Sequence, residues 1–199
     1  LHLCHHNLES IDTTSTTSDN AKHKLLAEVC MAAKYEGETL TRQHVQHKLT
    51  NPGTASQLCT VLARSFADIG DIVRGRDLYR GNKQEKEKRE KLEQKLKEIF
   101  AKIHSEVTST GEKRSALQKR YQNDTDNYYK LREDWWEANR ETVWKAITCS
   151  EDLKNSSYFR QTCGTGTPTN DKCRCKKEDG QHDTEQVPTY FDYVPQYLR

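Results

Sequence analysis

The stretch Tyr128–Cys149, YYKLREDWWEANRETVWKAITC, decides the fold class. Tyr128, Leu131, Trp135, Ala138, Val143, Trp144 and Ile147 recur at helical spacing, so the segment is expected to be an amphipathic helix with one apolar face. Three tryptophans within ten positions is a large apolar load for a chain of 199 residues that is 33% hydrophobic and 31% charged. Trp135, in register with Leu131 and Ala138, is the expected core anchor.

Upstream the same period recurs. Leu25, Leu26, Val29, Cys30 and Ala33 predict a helix from Ala21 to about Glu36, with Gly37 as its stop. A second helix is expected over Thr39–Leu49, closed by the turn Asn51-Pro52-Gly53. A third begins near Ser56 with Leu58, Cys59, Leu62, Ala63, Phe66 and Ile69 on one stripe and runs toward Gly75 or Gly81. From Lys83 the charges alternate, with Glu87/Lys91 and Glu93/Lys97 four apart, while Leu92, Leu96, Ile99, Phe100, Ile103 and Val107 form an apolar face. That is a long helix broken at Thr108–Gly111. Alternating strands and internal repeats are not seen, so the fold class is all-α, with core residues expected at Leu62, Phe66, Leu131 and Trp135. The aromatic tail Val187–Arg199 resembles the opening of another element.

A mean hydropathy of −1.05 and apolar runs of only a few residues exclude a membrane-spanning helix, so no direct membrane insertion by this segment is expected. Thirty-two Lys and Arg against thirty Asp and Glu leave +2, which gives no global attraction to nucleic acid; any polyanion site must be a local patch. The chain begins with Leu and shows no leader, as expected of a piece excised from a longer protein.

So polar a chain needs covalent help to order, and seven cysteines can supply it. They lack CxxC spacing and read as a disulfide framework, hence an oxidising compartment. Pairing early helices with late cysteines favours Cys30 with Cys149 and Cys59 with Cys163. Cys4, Cys173 and Cys175 remain, the odd total leaving at least one partner absent, free or in another chain. A zinc site at Cys173, Cys175 and His182 is the weaker alternative, and His2, Cys4, His5 and His6, or His44 and His47, lack a recognisable further ligand. No metal or cofactor is expected.

The glycines of Asp68–Arg76 lack the preceding strand and the GK[ST] ending of a phosphate loop, and the motifs GxSxG and HExxH do not occur, so no enzymatic activity is expected. What remains is basic: Arg74, Arg76, Arg80 and Lys83; Lys113, Arg114, Lys119 and Arg120; and Lys172, Arg174, Lys176 and Lys177. Arginine forks bind sulfated or carboxylated sugars bidentately, which makes the first and third clusters the candidate glycan sites. The bland reading of each is a solvated face balanced by nearby acids. N-x-[ST] matches occur at Asn123 and Asn155, as chance allows at this length.

Several segments together resemble one family. Ala27–Gly37 (AEVCMAAKYEG), Ala63–Gly75 (ARSFADIGDIVRG), Arg132–Arg140 (REDWWEANR), Tyr158–Cys163 (YFRQTC) and Asp192–Arg199 (DYVPQYLR) look like the Duffy-binding-like domain, and more narrowly its alpha class in Plasmodium falciparum erythrocyte membrane protein 1. The resemblance implies a disulfide-stapled helical bundle with long loops. It also implies display on the outer face of the infected erythrocyte as part of a membrane-anchored variant antigen, and adhesion to a host cell-surface receptor or to sulfated or blood-group glycans. Antibodies and a neighbouring domain of the same protein are the other implied partners. The pairing of Cys59 with Cys163 is also similar to the related Duffy-binding pattern. By the same resemblance, residues 1–50 correspond to the end of a first subdomain and the start of the bundle, residues 51–199 to a helical second subdomain with a cysteine-rich loop, and a third subdomain is absent. Cys4 is then expected to pair upstream. The alternative function is a structural spacer and immune decoy, with receptor binding carried by a neighbouring domain.

Overall fold

The computed structural model describes residues 16–50, 57–78, 81–109, 114–163, 166, 168–169, 171–176 and 186–199. Among them are five α-helices: α1 (Ser18–Thr50), α2 (Leu58–Arg74), α3 (Lys83–Ser109), α4 (Arg114–Arg120) and α5 (Tyr129–Ile147). Short 3-10 turns follow at Glu151–Leu153, Phe191–Tyr193 and Gln196–Leu198, and an isolated bridge pairs Asp171 with Arg174. The all-α expectation holds. No described helix is long and apolar enough to cross a membrane.

Two expected helices, Ala21–Glu36 and Thr39–Leu49, are one continuous α1. Gly37 does not stop it. A Cβ at Gly37 would overlap the Ile147 carbonyl oxygen, so glycine is there for close backbone approach rather than for termination. By contrast Gly75 does end α2. It adopts φ +70°, with Gly75 N–H donating to Ile72 O (3.1 Å) and Arg76 N–H to Asp71 O (2.8 Å), the paired bonds of a Schellman cap. The start of α3 is a capping box. Asn82 Oδ1 accepts from Glu85 N–H at 3.0 Å, and Glu85 Oε2 accepts from Asn82 N–H at 2.9 Å. The two carboxylate oxygens of Asp124 accept from Lys130 and Leu131 N–H and so start α5.

The described chain forms two compact units: residues 30–70 with 140–199, and residues 16–29 with 71–139. In the first, Leu62, Phe66, Val143 and Trp144 are fully buried, with Phe66 and Trp144 edge-to-face at 5.2 Å. Ser65 donates to the buried Glu36 carboxylate at 3.0 Å. In the second, Leu96, Ile99, Phe100 and Trp136 are fully buried and Leu131 nearly so, and Phe100 meets Trp135 edge-to-face at 6.2 Å. Lys22 bridges to Glu106 at 2.8 Å and Lys102 donates to Thr16 O, tying α1 to α3 within that unit. The expected anchor Trp135 keeps 7% of its surface exposed, whereas Trp136 and Trp144 keep none. The deepest tryptophans are therefore Trp136 and Trp144, on the side of α5 away from the Leu131/Trp135/Ala138 register.

The cysteine pairing differs from expectation. The bonds are Cys59–Cys173 and Cys163–Cys175, while Cys30 and Cys149 are free thiols, half-buried. The Trp144 indole N–H donates to Cys173 O at 3.1 Å, which pins the 171–176 turn in the first unit and brings Cys173, rather than Cys163, to Cys59. Cys163 and Cys175 then close a short local loop. Burial pushes the Cys30 thiol pKa above its ordinary value and keeps it protonated. Cys4, the other N-terminal ligand candidates, His182 and the Asn51–Gly53 turn lie outside the described residues.

Candidate functional site

Of the six described glycan candidates, four pair with the chain's own acids. Arg74 is 1% exposed: its Nη2 donates to Asp71 Oδ1 and its Nη1 to Glu133 Oε1, both at 3.0 Å, and the guanidinium lies 5.9 Å from the Trp136 ring centre. It is a structural arginine and cannot reach a sugar, which corrects its place in the first cluster. Arg76, exposed, pairs with the other oxygen of Glu133. Lys83 is exposed at the start of α3, and Arg80 lies outside the described residues.

The third cluster fares similarly. Lys172 pairs with Glu151, whose carboxyl pKa is held below its ordinary value by that hydrogen bond. Lys176 pairs with Asp171 at 3.1 Å, and the Asp171 pKa is lowered first by Lys176 and then by the Asn155 N–H. Arg174 is half-buried and donates to Lys145 O, Thr148 O and Thr148 Oγ1 at 2.8 to 2.9 Å, capping the last carbonyls of α5. Burial lowers the pKa of its guanidinium. Lys177 lies outside the described residues. Helix ends and acids thus absorb most of the charge read as a ligand patch.

Arg132 is another buried cation. It is fully buried, donates to the carbonyls of Ile72 and Val73 at the end of α2, and forks onto both oxygens of Glu93 at 2.7 and 2.9 Å. A cleft of about 760 Å³ lies beside it in the second unit, floored by Ile72, Leu92 and Leu96 and rimmed by Tyr129 and Lys97. Its walls carry the pairs Arg89–Asp77 and Lys86–Glu90. No group of three His, Cys, Asp or Glu side chains placed to hold a metal occurs among the described residues.

The feature that sequence reasoning missed lies in the first unit, where the aromatic tail folds back. Arg140 donates from Nε and Nη2 to both oxygens of the buried Asp192 (2.8 and 2.9 Å) and from Nη2 to Thr189 O (2.9 Å), and its guanidinium lies 5.3 to 5.8 Å from the ring centres of Phe66, Tyr190 and Tyr193. Further bonds stitch the tail down: Cys175 N–H to Gln186 O, Thr162 hydroxyl to Pro188 O, Tyr158 hydroxyl to Thr189 Oγ1 and Arg199 to Asp68. Burial raises the Tyr158 pKa, while the Thr189 hydrogen bond and the charges of Arg160 and Arg64 pull the other way. Phe159, Tyr190 and Tyr193 stay 43%, 53% and 47% exposed, and Arg160 lies over the Phe159 ring at 5.0 Å. The available signal was the Arg140 that ends REDWWEANR together with an acid, Asp192, set among tail aromatics.

A family profile described as Duffy binding domain matches residues 1–199. The chain belongs to the Duffy binding domain family. It is similar to the NTS-DBL1(alpha-1) domain of Plasmodium falciparum membrane protein 1 (PfEMP1) from the varO strain, at 40% identity and a TM-score of 0.72, covering 99% of this chain and 40% of that one. It is also similar to the ICAM-1-binding PfEMP1 IT4var13 DBLbeta domain, at 32% identity and 0.69, covering 100% of this chain and 39% of that one. The structure of the same DBLbeta domain bound to ICAM-1 matches at 30% identity and 0.66, covering 99% of this chain and 40% of that one. The chain spans about two fifths of the length of these solved chains. No curated protein sequence matches it.

Proposed function

We propose that this chain is part of a non-enzymatic adhesion module of a variant antigen on the infected erythrocyte surface, and that its ligand is a host receptor protein rather than a sulfated glycan. The observation that carries the choice is the neutralisation of the basic clusters. Arg74, Arg76, Lys172 and Lys176 each face a carboxylate, and Arg174 caps a helix, so the described members of the two candidate clusters, Lys83 aside, are already engaged within the chain. Family membership and the ICAM-1-bound DBLbeta relative support a protein ligand. The two disulfides and the Arg140–Asp192 pair make a rigid presenting surface, which limits the ordering cost of association.

The test is binding of the oxidised chain to ICAM-1, to red cells and to endothelial cells, beside the reduced and alkylated chain. Saturable binding by the oxidised form alone supports the reading. Absence of binding to all three favours a spacer and immune decoy whose neighbour carries the affinity.

A further inference from the structure

We propose that Arg64, Phe159, Arg160, Tyr190 and Tyr193 form a preformed docking platform for an acidic segment of a partner protein. This rests on the adhesion reading and assigns it a surface and a ligand chemistry.

The platform lies wholly within the first unit. The Tyr158 hydroxyl donates to Thr189 Oγ1 at 3.2 Å and the Thr162 hydroxyl to Pro188 O, which ties the chain around Phe159 to the residues just before Tyr190; the Tyr158 ring meets Phe159 at 5.0 Å between centres and lies within reach of the Arg64 and Arg160 charges. Tyr190 and Tyr193 share the Arg140 guanidinium beneath them. Exposed aromatics on a backbone fixed this firmly lose little entropy on binding, and Tyr and Arg are the residue types that dominate interface hot spots.

Charge selects the occupant. Arg140 is neutralised by Asp192 and Asp68 faces Arg199, while the exposed Arg64 and Arg160 have no ion pair among the described residues, so the described margin of the surface is positive. The Arg160 guanidinium carbon lies 5.0 Å from the Phe159 ring centre and the side chain is exposed, so the cation is held beside an aromatic face where a carboxylate can reach it. An aromatic centre with arginines at its margin suits a loop that offers an apolar side chain between acidic ones.

The probe is a synthetic peptide of alternating Asp and Leu, with its Asn–Leu counterpart as control, titrated into the isotope-labelled oxidised chain and followed by amide chemical shifts. Shifts centred on the five platform residues, binding by the Asn–Leu peptide at least about fivefold weaker, and a similar loss in the double variant Arg64→Glu/Arg160→Glu are expected. Both arginines are exposed, so circular dichroism of the variant should match the parent. Shifts elsewhere, equal binding by the neutral peptide, unchanged binding by the variant, displacement of the peptide by heparin at the same residues, or self-association through this face would each overturn the proposal. Cell binding by the parent that survives in the double variant rejects the platform and leaves adhesion standing. A parent that binds no cells but takes the acidic peptide on the platform rejects adhesion and supports the surface.

Discussion

Gly37 and Arg74 show how single positions carry the fold. Replacing Gly37 with Ala forces a methyl into the Ile147 carbonyl, so α1 or α5 must shift; a loss of about 1–3 kcal/mol is expected in urea unfolding. Arg74→Ser should cost about 3–5 kcal/mol, since it leaves the buried Asp71 and the partly buried Glu133 without their guanidinium, whereas Lys83→Ser should stay within about 0.5 kcal/mol. Comparing the two variants in one denaturation experiment separates a structural arginine from a surface lysine of the same sequence cluster. Asp134 ties Arg120 and Tyr121 together, accepting from the Arg120 guanidinium at 2.6 Å and the Tyr121 hydroxyl at 2.7 Å. Its pKa is lowered, first by the Arg120 hydrogen bond, so its contribution is present above the ordinary carboxylate value and lost as pH falls through the folded value. Tyr121 is pushed up to about 12, by burial first and then by Asp134, so its contribution is present below about pH 10 and lost as pH rises toward that value. Unfolding midpoints measured from pH 3 to 6 and 9 to 11 should therefore fall at both ends, and Asp134→Asn should flatten both limbs, modestly because Arg120 is half-exposed.

At the scale of elements, the long helices were legible because their 3.6-residue stripes outweigh local breakers: the apolar positions from Leu58 to Ile69 in α2 and from Leu92 to Ile103 in α3 are buried, whereas α4 buries no residue and left no such signal. The error at Gly37 has a physical source. Glycine serves chain termination and close backbone approach equally well, and only the tertiary partner, Ile147, tells them apart. The cysteine pairing was illegible for the same reason, since the turn that brings Cys173 to Cys59 depends on the Trp144 indole N–H. The pairing of the charge clusters was illegible because sequence proximity of arginines and lysines says nothing about Asp71, Glu133 or Asp171 folding onto them. The tail was read as aromatic, but its clasp needed Arg140 from 52 residues upstream. A non-reducing peptide map should return Cys59–Cys173 and Cys163–Cys175. Removing the first bond, with its separation of 114 residues, should cost about 5 kcal/mol, and removing the second, with 12, about 3 kcal/mol in the chain-entropy model. Equal losses would show that native-state contacts, rather than loop closure, set the contribution.

At the scale of the whole molecule, the +2 net charge is matched by local neutralisation, so neither the global nor the clustered electrostatics of the described residues favours a polyanion. On the proposed adhesion reading, binding energy would come from a fixed surface of aromatic and arginine side chains meeting a partner of complementary shape and charge. The most direct measurement of that claim is flow-cytometric binding of the oxidised chain to host cells treated in parallel with heparan-sulfate-degrading lyases or with trypsin. Binding that persists after the lyases and disappears after trypsin is the predicted result. Binding abolished by the lyases and retained after trypsin would contradict a protein receptor and return the basic clusters to the centre of the account.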